Sequence, residues 1–508
     1  MILSLLLASA AATHRPTRSV PQARPDHDTA LWWQETGALA DDALEGRDTG
    51  STGYDTAARI VAAAFASAGL KPAGERGSFF QTVPLVDLTI EPAGTSLSIA
   101  GTPLRFLHDY VLRPSPGMPT DLASPVTFRG YCEPEALVGA AGKVVVCWGT
   151  HKPGLPSAEA RAEAVRKAGA VGLLTVADPG FTVEPPRWPY AYARTVTFPN
   201  QAPPADNRLL IGTLRADALV SLASASGQDG AALLAAGSAG RPLPSFDFAG
   251  PLTGHVTLSH RDLRADNVLG LLPGTDPELK AEVIVLSAHL DGYGVGEAVA
   301  GDAVYNGALD DAAYVALLQR LAERRAGKGY RRSVLFAAFT GEEKGLLGAR
   351  YFVRNPTVSL RDIVADINLD QIRPIFPLDL LTVHALTDST LGDMVRDTAG
   401  KAHIAVQADP EPERNLLRRA DHWPFIEAGI PATGFVFGYR PGSPSERIYR
   451  RWYEEGYHRP QDDLRQPIDW GAAAKFNQFF YGLVDRVANT LAPPAWKPGA
   501  ALSPRHGQ

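Results

Sequence analysis

The sequence of 508 residues predicts an α/β protein in which a β-rich segment interrupts a mostly parallel sheet. Two observations lead to this fold class. From about residue 251 onward, apolar strands alternate with amphipathic helices, which is typical of a mostly parallel sheet flanked by helices. Between residues 112 and 250, short β-type runs are broken by Pro and Gly, so we expect a separate β-rich domain there.

The composition excludes several classes of protein. Hydrophobic residues make up 45% of the chain and charged residues 20%, which is too apolar for a disordered protein. The net charge is -6 and no run of five Lys or Arg occurs, so we expect no nucleic-acid partner. Two cysteines are too few for a disulfide framework or a Cys-rich metal site. At ~150 residues per domain, the length corresponds to roughly two or three folded units.

The N-terminus has the features of a targeting segment. Residues 2–12 are small and apolar and end in Ala and Ser, like the apolar core and cleavage site of a signal peptide. Basic residues before this run are missing, and a frayed apolar terminus is the alternative. We expect residues 1–12 to be a signal peptide and the mature protein to be secreted or periplasmic. The run at 2–12 is too short to span a bilayer, and no other stretch reaches the roughly 18 consecutive apolar residues of a membrane span.

Apolar spacing predicts the first elements of the chain. Two helices are expected at residues 31–44 and 54–70, followed by a strand-like segment from about Phe79. Within the middle segment, a strand at 142–149, one clear helix at 158–168 and a strand at 169–176 form a β-α-β unit. This unit contains no catalytic residue pattern.

The two cysteines both fall in the middle segment. Cys132 and Cys147 would close a short loop, and in an oxidising compartment they could form a disulfide. Buried free cysteines are also common, so both states are open at this point.

Several apolar strands of the third segment end in side chains that can bind a metal. Strands at 282–288, 333–340 and 363–369 are each followed by such residues. These residues are His289 and Asp291, Glu342 and Glu343, and Asp370. Because ligands of open α/β sheets bind at the carboxyl ends of strands, we expect these side chains to converge.

Two loops add further candidates. Asp310 and Asp311 precede a helix predicted at 312–324, and His458 lies in a Pro-containing loop together with Asp462. Each feature alone has an ordinary structural explanation, such as helix capping or a favourable interaction with the helix dipole. Together, two His and several carboxylates match the ligands of one or two Zn²⁺ ions. The absence of Cys ligands indicates a catalytic site rather than a structural one.

These motifs, in this order, resemble the co-catalytic dizinc aminopeptidases. The family includes aminopeptidase Y, bacterial leucyl-type aminopeptidases, glutamate carboxypeptidase and the transferrin receptor. The motifs that carry the resemblance are His289-x-Asp291, Asn306-Gly-Ala-x-Asp310-Asp311, Thr340-Gly-Glu342-Glu343, Asn368-Leu-Asp370, Asp421-His422 and Tyr457-His458. The resemblance covers nearly the whole chain and implies the zinc-exopeptidase fold.

The resemblance also implies a domain organisation. The middle segment is similar to the protease-associated domain that is inserted in some members of the family. The implied parts are an N-terminal portion of the peptidase domain at 30–111, the protease-associated insert at 112–250, and the zinc peptidase catalytic domain at 251–495.

The resemblance assigns a role to each site residue. Asp310 would bridge two Zn²⁺ ions, and other divalent ions would also be accepted. His289 and Asp370 would complete one metal site, and Glu343 and His458 the other.

Two further carboxylates are the implied catalytic residues. Glu342 would be the general base that acts on a metal-bridging water. Asp291 would orient His289, and Asp462 would do the same for His458. The family also implies a cis peptide bond at Asp310-Asp311.

The sequence departs from the family pattern without losing a metal ligand. Ala313, Ala420 and Gly292 replace residues that are commonly Ser, Ser and His in the family. The tyrosine that stabilises the oxyanion in some relatives has no clear counterpart. The candidates for this role are Arg418, Arg419, Tyr439 and Tyr457.

The implied function is a zinc-dependent aminopeptidase that hydrolyses peptides with a free N-terminus. The alternatives are a glutamate-carboxypeptidase-like enzyme, a glutaminyl-cyclase-like enzyme and a non-catalytic relative resembling the transferrin receptor. A non-catalytic relative would lack metal ligands, whereas all five positions and Glu342 are filled here. We further expect the middle domain to roof the active site partly and to favour short or flexible peptides.

Overall fold

The computed structural model describes residues 24–150, 152, 154–179, 187–200, 209–370 and 372–503. The predicted signal peptide at residues 1–12 lies outside the described residues. Within the described ranges, no helix combines the length and the apolar character that crossing a membrane would require.

The described part of the chain contains eleven α-helices. Their bounds are α1 His27–Leu39, α2 Thr52–Ser67, α3 Ala158–Lys167, α4 Ala216–Ala225, α5 Gly230–Ser238, α6 Ala313–Arg325, α7 Leu347–Arg354, α8 Thr390–Lys401, α9 His422–Glu427, α10 Pro444–Glu455 and α11 Trp470–Asn489. Side-chain caps begin several of these helices. The Ser51 hydroxyl accepts a hydrogen bond from Tyr54 N at α2, and the Asp469 carboxylate accepts one from Ala472 N at α11.

Strands alternate with these helices along the described chain. Their bounds are β1 Lys71–Pro72, β2 Phe80–Ile99, β3 Thr102–Leu104, β4 Tyr110–Arg113, β5 Asp121–Ser124, β6 Val126–Arg129, β7 Val144–Trp148, β8 Gly172–Val176, β9 Arg194–Thr197, β10 Leu210–Leu214, β11 Ser245–Asp247, β12 Leu252–Leu272, β13 Val283–His289, β14 Gly294–Val299, β15 Asp302–Tyr305, β16 Ser333–Phe339, β17 Ile363–Asn368, β18 Leu380–Val383, β19 Ala405–Gln407, β20 Ala432–Thr433 and β21 Phe435–Phe437.

The main sheet has ten strands, and its central order is β20-β17-β13-β16-β12-β2-β3. The first four strands are parallel, and β13 and β16 are buried along their whole length, as strands covered by helices on both faces are. The other half is antiparallel, because the long strands β2 and β12 pair with each other and β12 pairs with β16. The α/β class is confirmed, but the expectation of a mostly parallel sheet holds only for the first half, so the sheet is mixed.

A second sheet lies within the middle segment. It has six strands in the order β11-β6-β7-β8-β10-β4, and four of them are parallel. Three helices accompany it, α3 to α5, whereas the sequence pattern predicted one. The helix α5 consists of Ala, Leu, Gly and Ser, so it lacks the contrast between polar and apolar faces that identified α3. The helix α4 buries Leu219, Leu222 and Ala223 on one face, so its helical spacing was a usable signal. The segment is therefore itself α/β rather than simply β-rich.

The two sheets have separate apolar cores. The core of the middle segment includes Val146, Leu174 and Trp148, and it continues into Ile90 of β2 and Leu252 of β12. The two long strands thus connect the sheets. Cys132 and Cys147 are joined by a disulfide in the middle segment.

The first two helices pack against the later part of the chain. Trp32 of α1 is fully buried, and its indole N–H donates a hydrogen bond to the Ala313 carbonyl over 2.6 Å. Phe65 of α2 lies 6.0 Å from Phe336 of β16, measured between ring centroids. The N-terminal helices therefore belong to the same core as the main sheet.

Candidate metal centre

Three neighbouring strands place candidate ligands at one edge of the main sheet. His289 is the last residue of β13, while Glu342 and Glu343 follow β16 and Asp370 follows β17. Since these strands are parallel, their carboxyl ends lie side by side. The structure therefore brings together His289, Glu342, Glu343 and Asp370, four of the five side chains that the strand-end pattern predicted would converge; the fifth is Asp291.

Asp310 reaches this edge from the turn Ala308–Ala312, and its peptide bond to Asp311 is cis, as the family resemblance implied. Asp462 supports the turn. Its main-chain carbonyl accepts a hydrogen bond from Ala308 N over 3.0 Å, and its carboxylate accepts one from Leu309 N over 2.9 Å. The expectation that Asp462 orients His458 is therefore wrong, because its carboxylate bonds to the Asp310 turn instead.

The candidate ligands form three overlapping groups; one consists of His289, Glu342 and Glu343, and the other two share Asp310. Their ligand atoms lie within 4.8 Å of one another in each group, and the two groups that share Asp310 are His289, Asp310 and Asp370, and Asp310, Glu343 and His458. The Nε2 atom of His289 lies 3.4 Å from Oδ1 of Asp310, and the Nε2 atom of His458 lies 3.6 Å from Oδ2. Two ligands of one tetrahedral zinc ion are roughly 3.3 Å apart, so these spacings are close to those of metal ligands.

The atoms in this cluster fit metal ions in a second respect. In the described part of the chain, Oδ2 of Asp310 and Nε2 of His458 are buried and accept or donate no hydrogen bond. Oδ2 of Asp310 still faces the charged Nη2 of Arg373 at 3.3 Å. A buried nitrogen such as Nε2 of His458 that makes no hydrogen bond costs about 1–3 kcal/mol, which a metal bond would offset. The donors are imidazole nitrogens and carboxylate oxygens without thiolates, as in catalytic zinc sites. The residues present therefore fit zinc.

Hydrogen bonds orient both imidazoles. Nδ1 of His289 lies 3.0 Å from the main-chain carbonyl of Asp291, and Nδ1 of His458 lies 3.1 Å from the Tyr192 hydroxyl. A histidine that binds a metal through Nε2 carries its proton on Nδ1. Each Nδ1–H would then donate a hydrogen bond to the oxygen beside it. Asp291 thus contacts His289 through its backbone, while its carboxylate lies farther away, at 3.7 Å.

The Asp291 carboxylate has two other partners. It accepts a hydrogen bond from Glu342 N over 3.1 Å and one from the Thr49 hydroxyl over 3.0 Å. The first bond holds the backbone of the predicted general base. The second connects the site to the N-terminal part of the chain.

Burial and charge shift the pKa values of the acidic groups in opposite directions. Burial raises the pKa of the Glu343 carboxyl to about 8, and the charge of Asp310 adds to this rise. Burial also acts to raise the pKa of Asp310, but Arg373 and His289 outweigh it and hold that pKa below its usual value. Burial raises the pKa of Glu342 well above its usual range, while the nearby His289 opposes the rise. Asp310 is therefore the carboxylate most strongly held in its charged form.

Two tyrosines at the site were not predicted from the sequence. The Tyr293 hydroxyl donates a hydrogen bond to Oε2 of Glu343 over 2.6 Å, and its ring lies 4.2 Å from that of His458. Tyr192 comes from the middle segment and packs against Tyr293 at 5.2 Å. Tyr293 lies two residues beyond Asp291, so its proximity to the motif was a usable signal. No local pattern marked Tyr192.

A pocket of about 290 Å³ opens beside the ligands. It is lined by Tyr293, Asp310, Glu342, Glu343, Gly345, Leu346, Arg350, Asp370, Arg418, Arg419 and Tyr457. Three of the four candidates for an oxyanion-stabilising residue are thus present. The fourth, Tyr439, is not among the lining residues, and its hydroxyl bonds to Glu411.

Known proteins are similar to the part of the chain that contains these residues. Residues 267–484 match the family model described as peptidase family M28, and this range contains all the predicted metal ligands. The segment is a peptidase family M28 domain. The predicted assignment as a peptidase is confirmed for this segment, at the level of the M28 family.

One relative of the M28 domain is leupeptin-inactivating enzyme 1 of Streptomyces exfoliatus. It is 24% identical over 257 residues, which are 49% of this chain and 55% of that relative. The similarity therefore spans about half of the relative.

Solved structures resemble the chain over most of its length. A zinc aminopeptidase from Bacillus subtilis has a TM-score of 0.61 at 16% identity, and the similarity covers 92% of this chain and 97% of that protein's chain. An aminopeptidase from Aneurinibacillus sp. strain AM-1 has a TM-score of 0.60 at 17% identity, with coverages of 92% and 96%. A peptidase M28 precursor from Shewanella amazonensis has a TM-score of 0.53 at 14% identity, with coverages of 92% and 99%. At these identities the similarity establishes a shared fold.

Proposed function

We propose that the protein is a dizinc aminopeptidase that removes residues from the free N-terminus of peptides. The observation that carries this proposal is the position of Asp310, whose two carboxylate oxygens each face a different histidine at 3.4 and 3.6 Å. A carboxylate between two imidazoles can be shared by two dications. The M28 domain and the zinc aminopeptidases among the structural neighbours support the choice of metal and reaction.

The side chains divide the work of hydrolysis. Asp310 would hold both ions, His289 and Asp370 would complete one site, and Glu343 and His458 the other. Zinc bound here would polarise the scissile carbonyl and make a nearby water more acidic. Glu342 lines the pocket and lies outside both groups that contain Asp310, although its carboxylate is also near His289 and Glu343. With the ions held by the two groups around Asp310, Glu342 would take the proton from the attacking water. It then delivers that proton to the leaving amine.

The proposal is tested by metal analysis combined with a panel of matched peptides. We expect two zinc ions per chain and hydrolysis of peptides with a free N-terminus, while N-acetylated versions of the same peptides stay intact. Hydrolysis of N-blocked peptides from the C-terminus would favour the carboxypeptidase alternative. Cyclisation of N-terminal Gln would favour the glutaminyl cyclase alternative. A zinc-loaded protein that cleaves nothing would favour the non-catalytic one.

We also propose that residues 112–250 are a protease-associated domain that partly roofs the pocket. Two contacts between this segment and the site support the idea. The Tyr192 hydroxyl lies 3.1 Å from His458, and Lys344, directly after Glu343, donates a hydrogen bond to the Ala191 carbonyl over 3.2 Å.

Export to the periplasm or the medium is our proposal for the location. The disulfide between Cys132 and Cys147 supports it, since disulfides persist in oxidising compartments. Fusing residues 1–30 to a reporter that is active only outside the cytoplasm tests it. We expect reporter activity, and a reporter retained in the cytoplasm would contradict export.

A further inference from the structure

The pocket beside the ligands has an unusual distribution of charge. Its lining contains four carboxylates, all of which belong to the candidate ligands or the proposed base, and three guanidinium groups. Two zinc ions would balance the four carboxylates. The guanidinium groups of Arg350, Arg418 and Arg419 would then give the loaded pocket a net positive charge.

The three arginines differ in their partners. Arg350 of α7 makes an ion pair with Glu427 over 2.8 Å. Within the described ranges, neither Arg418 nor Arg419 makes an ion pair, although both line the same pocket as the ligands. Two guanidinium groups without counterions beside a metal centre attract an anion.

Contacts hold these two side chains in place without neutralising their charge. The Arg418 guanidinium lies 4.7 Å above the centre of the Trp423 ring. Stacking of this kind uses the flat face of the group and leaves the N–H groups at its edge available. Nη2 of Arg419 lies 3.5 Å from the Tyr457 hydroxyl, which also lines the pocket. As whole residues, Arg418 and Arg419 are both exposed.

The edge of a guanidinium group matches a carboxylate, because two parallel N–H donors meet its two oxygens. We propose that Arg418 and Arg419 bind a substrate carboxylate near the scissile bond, so that the enzyme prefers anionic peptides. This inference rests on the proposed aminopeptidase function and names its substrate class. The carboxylate has two sources, the acidic side chain of the first residue or the C-terminus of a very short peptide.

Matched substrate pairs separate these sources. Glutamyl and glutaminyl para-nitroanilides differ by one charge at nearly equal size, and the dipeptide Leu-Ala differs from Leu-Ala amide in the same way. We expect the anionic member of at least one pair to have the higher kcat/KM, by about 10- to 100-fold, as one charge-assisted contact provides. A preference in the first pair identifies the side chain as the source, and a preference in the second identifies the C-terminus. Ratios within about twofold in both pairs would overturn the inference.

Variants connect the preference to the two residues. Arg418→Gln and Arg419→Gln should each reduce the anionic-to-neutral ratio towards one, and the Lys variants should retain part of it. Arg396→Gln is the matched control, since Arg396 is an exposed residue of α8 that does not line the pocket. An unchanged ratio in the Gln variants would overturn the assignment.

Binding provides a readout that does not depend on turnover. Calorimetric titration of the zinc-loaded protein with glutamate and with glutamine should show tighter binding of glutamate, and the difference should shrink in Arg418→Gln and Arg419→Gln. Equal binding of both ligands by the wild type would contradict a carboxylate site for the side chain. If the wild type cleaves neutral and anionic substrates equally, only this inference fails. If it cleaves no peptide at all, the proposed function fails.

Discussion

Within the described residues, the main sheet and the six-stranded sheet of the middle segment each have four parallel strands, and only the main sheet has candidate metal ligands at its strand ends. In the main sheet, β13 ends in His289, and carboxylates follow β16 and β17. In the middle segment, β7 ends instead in Trp148, which is fully buried. Gly237 of α5 packs so closely on Trp148 that a Cβ at this position would lie 2.4 Å from the indole ring. An apolar side chain thus closes the position that a ligand occupies in the other sheet.

A parallel sheet therefore provides a place for a site, whereas the residues at the strand ends decide its chemistry. The strand β8 is followed by Asp178, which is a carboxylate in a position similar to that of the ligands. Its side chain accepts a hydrogen bond from the Ser238 hydroxyl over 2.9 Å. In the middle segment, a carboxylate after a strand therefore contributes to packing of the domain.

The largest effect should come from Glu342→Gln, which removes the proposed base and keeps the shape of the side chain. We expect kcat to fall by roughly 10²- to 10⁴-fold while zinc content is retained. The matched control is Asp178→Asn, the same kind of change after a strand of the other sheet, which should leave kcat within a few-fold of the wild type. Turnover near the wild-type rate in Glu342→Gln would refute the assignment of the base.

Asp310→Asn should have the next largest effect on the metal centre. The amide lacks the negative charge of the carboxylate, so both ions should bind more weakly. We expect the zinc content to fall from two ions to one or none, with a corresponding loss of activity. Elemental analysis after dialysis against zinc-free buffer measures this. Two tightly held ions in the variant would argue against a bridging role for Asp310.

Tyr192→Phe tests whether the middle segment contributes to the site of the other sheet. The change removes the hydroxyl 3.1 Å from His458 Nδ1 and keeps the ring that packs on Tyr293. We expect one zinc ion to bind about 10-fold more weakly, because the Tyr192 hydroxyl is the hydrogen-bond partner that orients the candidate ligand His458. Competition with a chelator measures the affinity.

The control for Tyr192→Phe is Tyr190→Phe in the same turn, because Tyr190 is 42% exposed. Equal zinc affinities in both variants would show that the two regions act independently at the metal centre.

The smallest effect concerns peptide length. If the middle segment roofs the pocket, kcat/KM should decline steadily for peptides that share their first two residues but grow in length. A series of such peptides, assayed by chromatography, measures the decline. Equal values along the series would leave the insert without a role in substrate entry.

Much of the fold and site could be predicted because the signals are local. The strands β13, β16 and β17 were placed to within one residue at each end, since their apolar runs are bounded by polar residues. The helix α5 escaped prediction because its small apolar residues show little periodicity. The helix α4 was missed although its buried residues recur at helical spacing. The antiparallel half of the main sheet also escaped, because the pairing of β2 with β12 depends on segments far apart in the chain.

Residue type and order predicted the candidate ligands at the strand ends, since a histidine or carboxylate directly after an apolar strand lies at the carboxyl edge of the sheet wherever the strand pairs. The roles of Asp310 and His458, which lie in a turn and a loop, came from the family resemblance. Contacts between distant segments were decided only in the folded protein. Asp462 bonds to the turn before Asp310 instead of to His458, and Tyr192 reaches His458 from the middle segment. These contacts depend on how loops pack against one another, and no periodicity or spacing in the chain encodes that packing. The acidic ligands were visible in the sequence, but their enclosure with Arg418 and Arg419 in one pocket was not.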